Sequence, residues 1–213
     1  PIVLGACFYT HPLPVIVLVL LATVFASLEL FGLLIHLEGS PALLGRQPLL
    51  RRLILGLWVL GPLVSLVELH KAGELAIAWN FHTPLLLVFL PLWAGDTAAI
   101  FAGKAFGKHP LAPNISPKKT WEGAIANFAA CILAAWGTAV WVGIAPAWGV
   151  LIGVITGVLG QTGDLFESWL KRQAGVKDSG NLLPGHGGIL DRIDSLLFTA
   201  IPTTLVYVIA SSR

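Results

Sequence analysis

The sequence predicts an all-α, polytopic membrane protein with about six transmembrane helices, forming a single membrane-embedded domain over residues 1–213. Three observations predict it. Of the residues, 56% are hydrophobic and only 11% charged, about half the charge of a soluble domain. Six apolar stretches stand out, several of which approach the ~20 residues that cross a bilayer. The basic residues then fall into alternate connectors, as the positive-inside rule requires.

The first stretch, Leu13 to Leu37, has no basic region before it and reads as a span rather than a cleavable leader. Glu29 and His36 lie towards its cytoplasmic end and attract little functional weight. The second runs from Leu53 to Leu69. The third, Pro84 to Phe101, is interrupted by Asp96. A carboxylate inside a span costs about 2.5–3.5 kcal/mol on insertion scales, so Asp96 should face the bundle interior or a wet cavity. A structural hydrogen bond and a functional role both remain open for it. The fourth stretch is Trp121 to Val142, the fifth Trp148 to Phe166, and the sixth Ser195 to Ala210.

Arg46, Arg51 and Arg52 follow the first stretch; Lys104, Lys108, Lys118 and Lys119 follow the third; Lys171, Arg172, Lys177 and Arg192 follow the fifth. That is eleven of the thirteen basic residues, and six spans place all three groups on one side, the cytoplasmic one. Both visible termini then face out. Attraction to anionic headgroups would explain the side, but not the acids found beside the bases. Methionine is absent and the chain starts at Pro1, which reads as a truncated or processed N-terminus. Cys7 and Cys131 lack metal-ligand spacing and read as small buried hydrophobes. A net charge of +2 does not suggest a nucleic-acid partner. No internal repeat or heptad pattern stands out.

Two polar connectors carry the chemistry. In "FGKHPLAPNISPKKTWEG", Phe106 to Gly123, three prolines prevent a continuous helix. Ser116 is expected to cap the fourth helix, with Pro117 in its first position. Lys118 and Lys119 would then occupy the first turn, the wrong charge for a positive macrodipole end. A bound phosphate would resolve the conflict; lysines snorkelling to headgroups are the rival reading. The upstream "GKAFGK" is not a Walker motif and is weak by itself.

In the second connector, Asp164, Glu167, Ser168 and Lys171 share one helix face at i, i+3, i+4 and i+7. Gly175 should stop that helix. A glycine-rich loop follows to Gly188, and a new helix starts near Ile189 with Asp191 and Asp194 on one face. "KDSGNLLPGHGGILDRIDS" puts three aspartates, a lysine, an arginine and a histidine into nineteen residues of a charge-poor chain. Asp164 and Asp191, from two helices flanking one loop, could chelate Mg²⁺ together with substrate phosphates. Lys171, Arg172, Lys177 and Arg192 suit phosphate oxygens. Carboxylates for metal beside cations for phosphate are the parts of phosphoryl and nucleotidyl transfer. A solvated, salt-bridged loop is the plain alternative. His186 could hydrogen-bond a phosphate or simply shape the loop.

These residues resemble the signature of the phosphatidate cytidylyltransferases, or CDP-diacylglycerol synthases. The matching elements are Ser168, Lys171-Arg172, Lys177-Asp178, Pro184-Gly185-His186-Gly187-Gly188 and Asp191-Arg192-Ile193-Asp194, each at its spacing. "GDLFES" and the first polar connector are similar too. The resemblance covers about residues 93–195; Ile100 and Lys104 depart mildly, standing where an aromatic and an arginine are expected. Family members usually have more transmembrane helices and begin with methionine.

The resemblance implies that CTP and phosphatidate react to give CDP-diacylglycerol and pyrophosphate at the cytoplasmic face of a bilayer. Asp164 and Asp191 would hold Mg²⁺, paired with a monovalent cation such as K⁺. Lys171, Arg172 and Lys177 would bind lipid or nucleotide phosphates, and Lys118 and Lys119 would close over the triphosphate. Asp178 and Asp194 would position those cations or support the metal; Ser168, His186 and Arg192 would touch substrate. A homodimer is left open. The alternatives are a CTP-dependent polyprenol or phytol kinase, a synthase of CDP-linked archaeal ether lipids, a catalytically dead relative and, outside enzymes, a small-solute transporter. A transporter would need charged or broken-helix sites near the midplane and usually repeated halves, whereas most of the charge here sits at one surface and no repeat stands out.

Overall fold

The computed structural model describes residues 2–9, 11–37, 48–76, 83–180, 182 and 187–212. Among them, a short helix α1 (Ile2–Phe8) precedes six long ones: α2 (Leu13–His36), α3 (Pro48–Ala76), α4 (Leu86–Phe106), α5 (Trp121–Val142), α6 (Pro146–Gln173) and α7 (Leu190–Ser211). All six long helices carry stretches long and apolar enough to span a membrane, so the expected all-α polytopic architecture holds. Each of the six expected apolar stretches falls largely within one of them. Their outward faces remain apolar, with Leu20, Leu28, Leu57, Ile125 and Leu133 all more than half exposed. In water such a surface would be an aggregation liability; in lipid it is solvated.

Helix α7 lies at the centre, packing on α6, α3, α4 and α2, while α4, α5 and α6 form a second packed layer. Close approach of α5 and α6 depends on small residues. Gly149, Gly153 and Gly157 recur every fourth residue on α6. A Cβ at Gly153 would collide with the backbone of Ile132 and lie 2.9 Å from the Cys131 carbonyl, and one at Gly157 would meet the Phe128 ring at 2.7 Å. This is the small-residue packing that membrane helices use when apolar burial supplies little association energy.

Two details position the polar residues. Helix α6 has 28 residues, about 42 Å at 1.5 Å per residue, against about 30 Å of hydrocarbon. Its surplus is the polar end that starts near Asp164. It closes at Ala174, and Gly175 takes φ +71°, the left-handed turn expected of it.

The first polar connector departs from the expectation. Ser116 does not cap a helix. Residues Pro110–Ala112 (β1) and Ser116–Thr120 (β2) form an antiparallel hairpin. Its turn centres on Pro113 and Asn114 and is closed by Ile115 N–H donating to the Ala112 carbonyl at 3.1 Å, where proline and asparagine favour a turn. The cap is Thr120, extended at φ −123°, whose hydroxyl accepts from Gly123 N–H at 3.2 Å. Glu122 occupies the first turn, the ordinary charge for a helix start. Lys118 and Lys119 are therefore strand residues, and the proposed clash between lysines and the macrodipole does not arise.

Candidate active site

The hairpin, the polar end of α6, the start of α7 and the last turns of α4 enclose one polar cavity of about 830 Å³. Sequence-distant charges converge there: Lys104, Lys118, Lys119, Lys171 and Arg192 with Asp96, Asp164, Glu167, Asp178, Asp191 and Asp194. The hairpin is docked by Arg172, whose Nε donates to the Ile115 carbonyl at 3.3 Å while Nη1 donates to the Val176 carbonyl at 3.3 Å. Arg172, expected at phosphate, thus ties hairpin to helix end in this structure. Lys177 is exposed and does not line the cavity, whereas Asp178 is exposed and does.

Helix α6 presents its acids in two ways. Asp164 forms an ion pair with Lys119 of the hairpin, and the Ser168 hydroxyl donates to Asp164 Oδ1 at 3.5 Å. Ser168 reaches the cavity only through this aspartate. One turn on, Glu167 is fully buried, with Oε2 2.5 Å from Lys171 Nζ. The same ammonium lies 2.6 Å from Asp191 Oδ1. Lys171 thus joins an acid of α6 to an acid of α7, and its attraction to both offsets the desolvation of all three.

Asp191 is held on other sides as well. It accepts from Ser179 N–H at 3.0 Å and from Gly188 N–H at 2.8 Å. The second contact satisfies the N–H group just before the start of α7. Asp194, one turn along α7, accepts from its neighbour Ser195 N–H at 2.6 Å. Asp96 lies within α4, where Asn127 Nδ2 donates to it at 3.4 Å. Asp96, Asp164 and Asp194 all line the cavity and give it an acidic side, with Lys119 in contact with Asp164. His186, together with Pro184 and Gly185, lies outside the described residues.

Asp164 and Asp191, the pair expected to meet metal, line the same cavity. Each meets a lysine: Asp164 contacts Lys119 and Asp191 contacts Lys171. Among the described residues no three His, Cys, Asp or Glu side chains are gathered tightly enough to hold an ion. The donor chemistry nevertheless fits Mg²⁺, because every acid here supplies hard oxygen.

Three acids carry more of the site than the sequence assigned them. Asp96 had both a structural and a functional reading, and it faces the cavity. Glu167 stood on the polar face of α6 without a role, and its full burial was not visible in the pattern. Glu29 accepts hydrogen bonds from the far connector; only its position near the same membrane face was readable.

A second cavity, about 540 Å³, opens beside the first and is lined mainly by apolar side chains of α1, α2, α3, α4 and α7. Val15, Val19, Ala22 and Phe25 line one wall, Leu66 and Phe89 others. The two cavities share Trp93, Asp96, Arg192, Asp194 and Ser195. A polar chamber and an oily one meet at an arginine and two aspartates.

Residues 2–210 match the model of the family described as "Cytidylyltransferase family". The phosphatidate cytidylyltransferase of Brucella suis biovar 1 (strain 1330) is 47% identical over 119 residues, 55% of this chain and 44% of that protein. The Haemophilus influenzae (strain ATCC 51907 / DSM 11121 / KW20 / Rd) protein of the same name is 46% identical over 124 residues, covering 55% and 43%. Phosphatidate cytidylyltransferase 5, chloroplastic, of Arabidopsis thaliana is 47% identical over 121 residues, 54% of this chain and 29% of its own. The matched stretch therefore spans less than half the length of these relatives.

Proposed function

This chain belongs to the cytidylyltransferase family, and from that premise we propose that it joins CTP to phosphatidate, giving CDP-diacylglycerol and pyrophosphate. The observation that carries the reading is the meeting of the two cavities at Asp96, Arg192 and Asp194. A water-soluble triphosphate suits the chamber bearing Lys104, Lys118, Lys119 and Lys171. The acyl chains of a lipid suit the apolar chamber, which leaves the lipid phosphate beside Arg192. The polar chamber faces the cytoplasm in this reading, on the side of the basic connectors.

The reaction forms one P–O bond, from a phosphatidate phosphate oxygen to the α-phosphorus of CTP. It breaks the bond from that phosphorus to the α–β bridging oxygen, and pyrophosphate leaves with the electron pair. The nucleophile is already an anion, so no strong base is required. The barrier lies in bringing two polyanions together in line, which is a matter of positioning and electrostatics. Lys118 and Lys119 approach from the hairpin and Lys171 from α6. Asp178 and Asp194 would orient these cations. Mg²⁺, held by Asp164 and Asp191 with Asp194 beside them and accompanied by K⁺, would neutralise phosphate charge. Lys119 contacts Asp164 and Lys171 contacts Asp191, so each acid that would hold the metal has beside it a lysine suited to phosphate.

The test is purified protein in lipid vesicles with radiolabelled CTP and phosphatidate, with and without Mg²⁺. Label should enter a lipid only with Mg²⁺, with release of one pyrophosphate per lipid. Release of CDP with phosphorylation of a polyprenol would replace this reading by that of a lipid kinase.

A further inference from the structure

Helix α7 begins under an acid that is not its own. Three backbone N–H groups at its start point away from the helix, as at every helix N-terminus. Gly188 N–H is taken by Asp191. Ile189 N–H and Leu190 N–H are taken by Glu29 of α2, at 2.9 and 2.8 Å. The Ser179 hydroxyl donates to the same Glu29 carboxylate at 3.0 Å. Glu29 thus accepts from both ends of the second connector, 150 and more residues away. The fit around it is close. A Cβ at Gly180 would stand 2.7 Å from Glu29 Oε1, and one at Gly188 would overlap the same carboxylate. Both glycines leave room for this side chain.

We infer that Glu29 is a positioning residue: it clamps residues 178–180 and 187–190 to the first long helix and so fixes Asp191 and Arg192 at the junction of the two cavities. The inference rests on the proposed reaction for its activity readout. Asp191 is anchored to α6 through Lys171 and holds Ser179 and Gly188 by their N–H groups, whereas Glu29 ties the Ser179 side chain and the first N–H groups of α7 to α2. A carboxylate also suits the place electrostatically, since it faces the positive end of α7. Helix α2 further supplies one wall of the apolar cavity, so the clamp links the wall on the lipid side to the loop on the phosphate side.

The experiment compares Glu29→Ala, Glu29→Gln and Ser179→Ala with the parent chain in phosphatidate vesicles, measuring kcat, KM for CTP and amide exchange by region. A loosened aspartate and arginine misplace the reacting groups, so Glu29→Ala should lower kcat by about 10- to 100-fold with KM for CTP changed less than about threefold. Exchange should quicken in residues 178–180 and 187–190 and not in α5 or α6. Glu29→Gln, which keeps one carbonyl oxygen, should fall between parent and Glu29→Ala. Ser179→Ala, which removes one donor of three, should show a smaller loss of the same kind. Parental kcat in Glu29→Ala overturns the inference. If that variant does not fold, parental kcat and loop exchange in both milder variants overturn it equally. If the parent makes no CDP-lipid, the proposed reaction fails, and the exchange comparison still decides whether Glu29 holds the loop.

Discussion

Replacing Lys171 by methionine removes one ammonium and leaves a side chain of similar length. In the folded protein that ammonium lies 2.5 Å from Glu167 and 2.6 Å from Asp191, and the three side chains are only 11%, 1% and 7% exposed. Two buried carboxylates would lose their shared counter-charge. Breaking a buried ion pair by deleting one partner destabilises by about 3–5 kcal/mol. For a chain of this size about 1 kcal/mol moves Tm by about 2–4 °C, so the expected fall is about 6–20 °C. The protein carries its own reporter. Cys7 and Cys131 are free and buried, so a thiol-reactive fluorophore responds only when the bundle opens. Glu167→Gln in the Lys171→Met background should recover part of the loss, because it removes one of the two stranded charges, and the non-additivity measures the coupling. A Lys171→Met protein melting within about 2 °C of the parent would show that the triad contributes nothing net, and that the lysine is held there for substrate alone.

Three further outcomes are expected. Asp191→Asn should reduce Mg²⁺-dependent CDP-lipid formation by at least about tenfold; near-normal activity in a metal titration would remove Asp191 from the metal assignment. Lys118→Ala should raise the KM for CTP by about tenfold, the loss of one charge-assisted phosphate contact, and an unchanged KM would leave that lysine as a topology signal. Gly153→Ala should lower Tm by forcing α5 from α6, whereas Gly56→Ala, where a Cβ meets nothing within 4 Å, should leave it unchanged or raise it; equal effects would refute the small-residue packing of α6.

The spans were legible in the sequence because a bilayer imposes a length and a composition on each segment independently of its neighbours. Gly175 was legible for a similarly local reason, since a helix end needs a residue that tolerates a left-handed turn. The hairpin was not. Ser116-Pro117 has the chemistry of a helix start, but pairing with Pro110–Ala112 and capping by Thr120 prevailed; Thr120 followed by Glu122 was the signal that could have shown it. Arg172 looked like a phosphate ligand because charge is visible in a sequence and backbone carbonyl partners are not. Lys171 lies at i+4 from Glu167, so their contact was implicit in helix periodicity, whereas Lys119 with Asp164 required two connectors to meet.

By itself the sequence determined a charge-poor chain of six spans, with most of its charge in connectors at one membrane face. Those properties follow from local composition and the solvent each segment must meet. The tertiary structure alone decided which acid faces which base. It bent the first connector into a strand pair, buried Glu167, brought Glu29 across more than a hundred residues onto the start of α7 and opened an oily chamber beside a polar one. Apart from the strand pair, which lies within residues 110–120, each of these depends on how helices far apart in the chain pack together, and no short window along the sequence contains both partners.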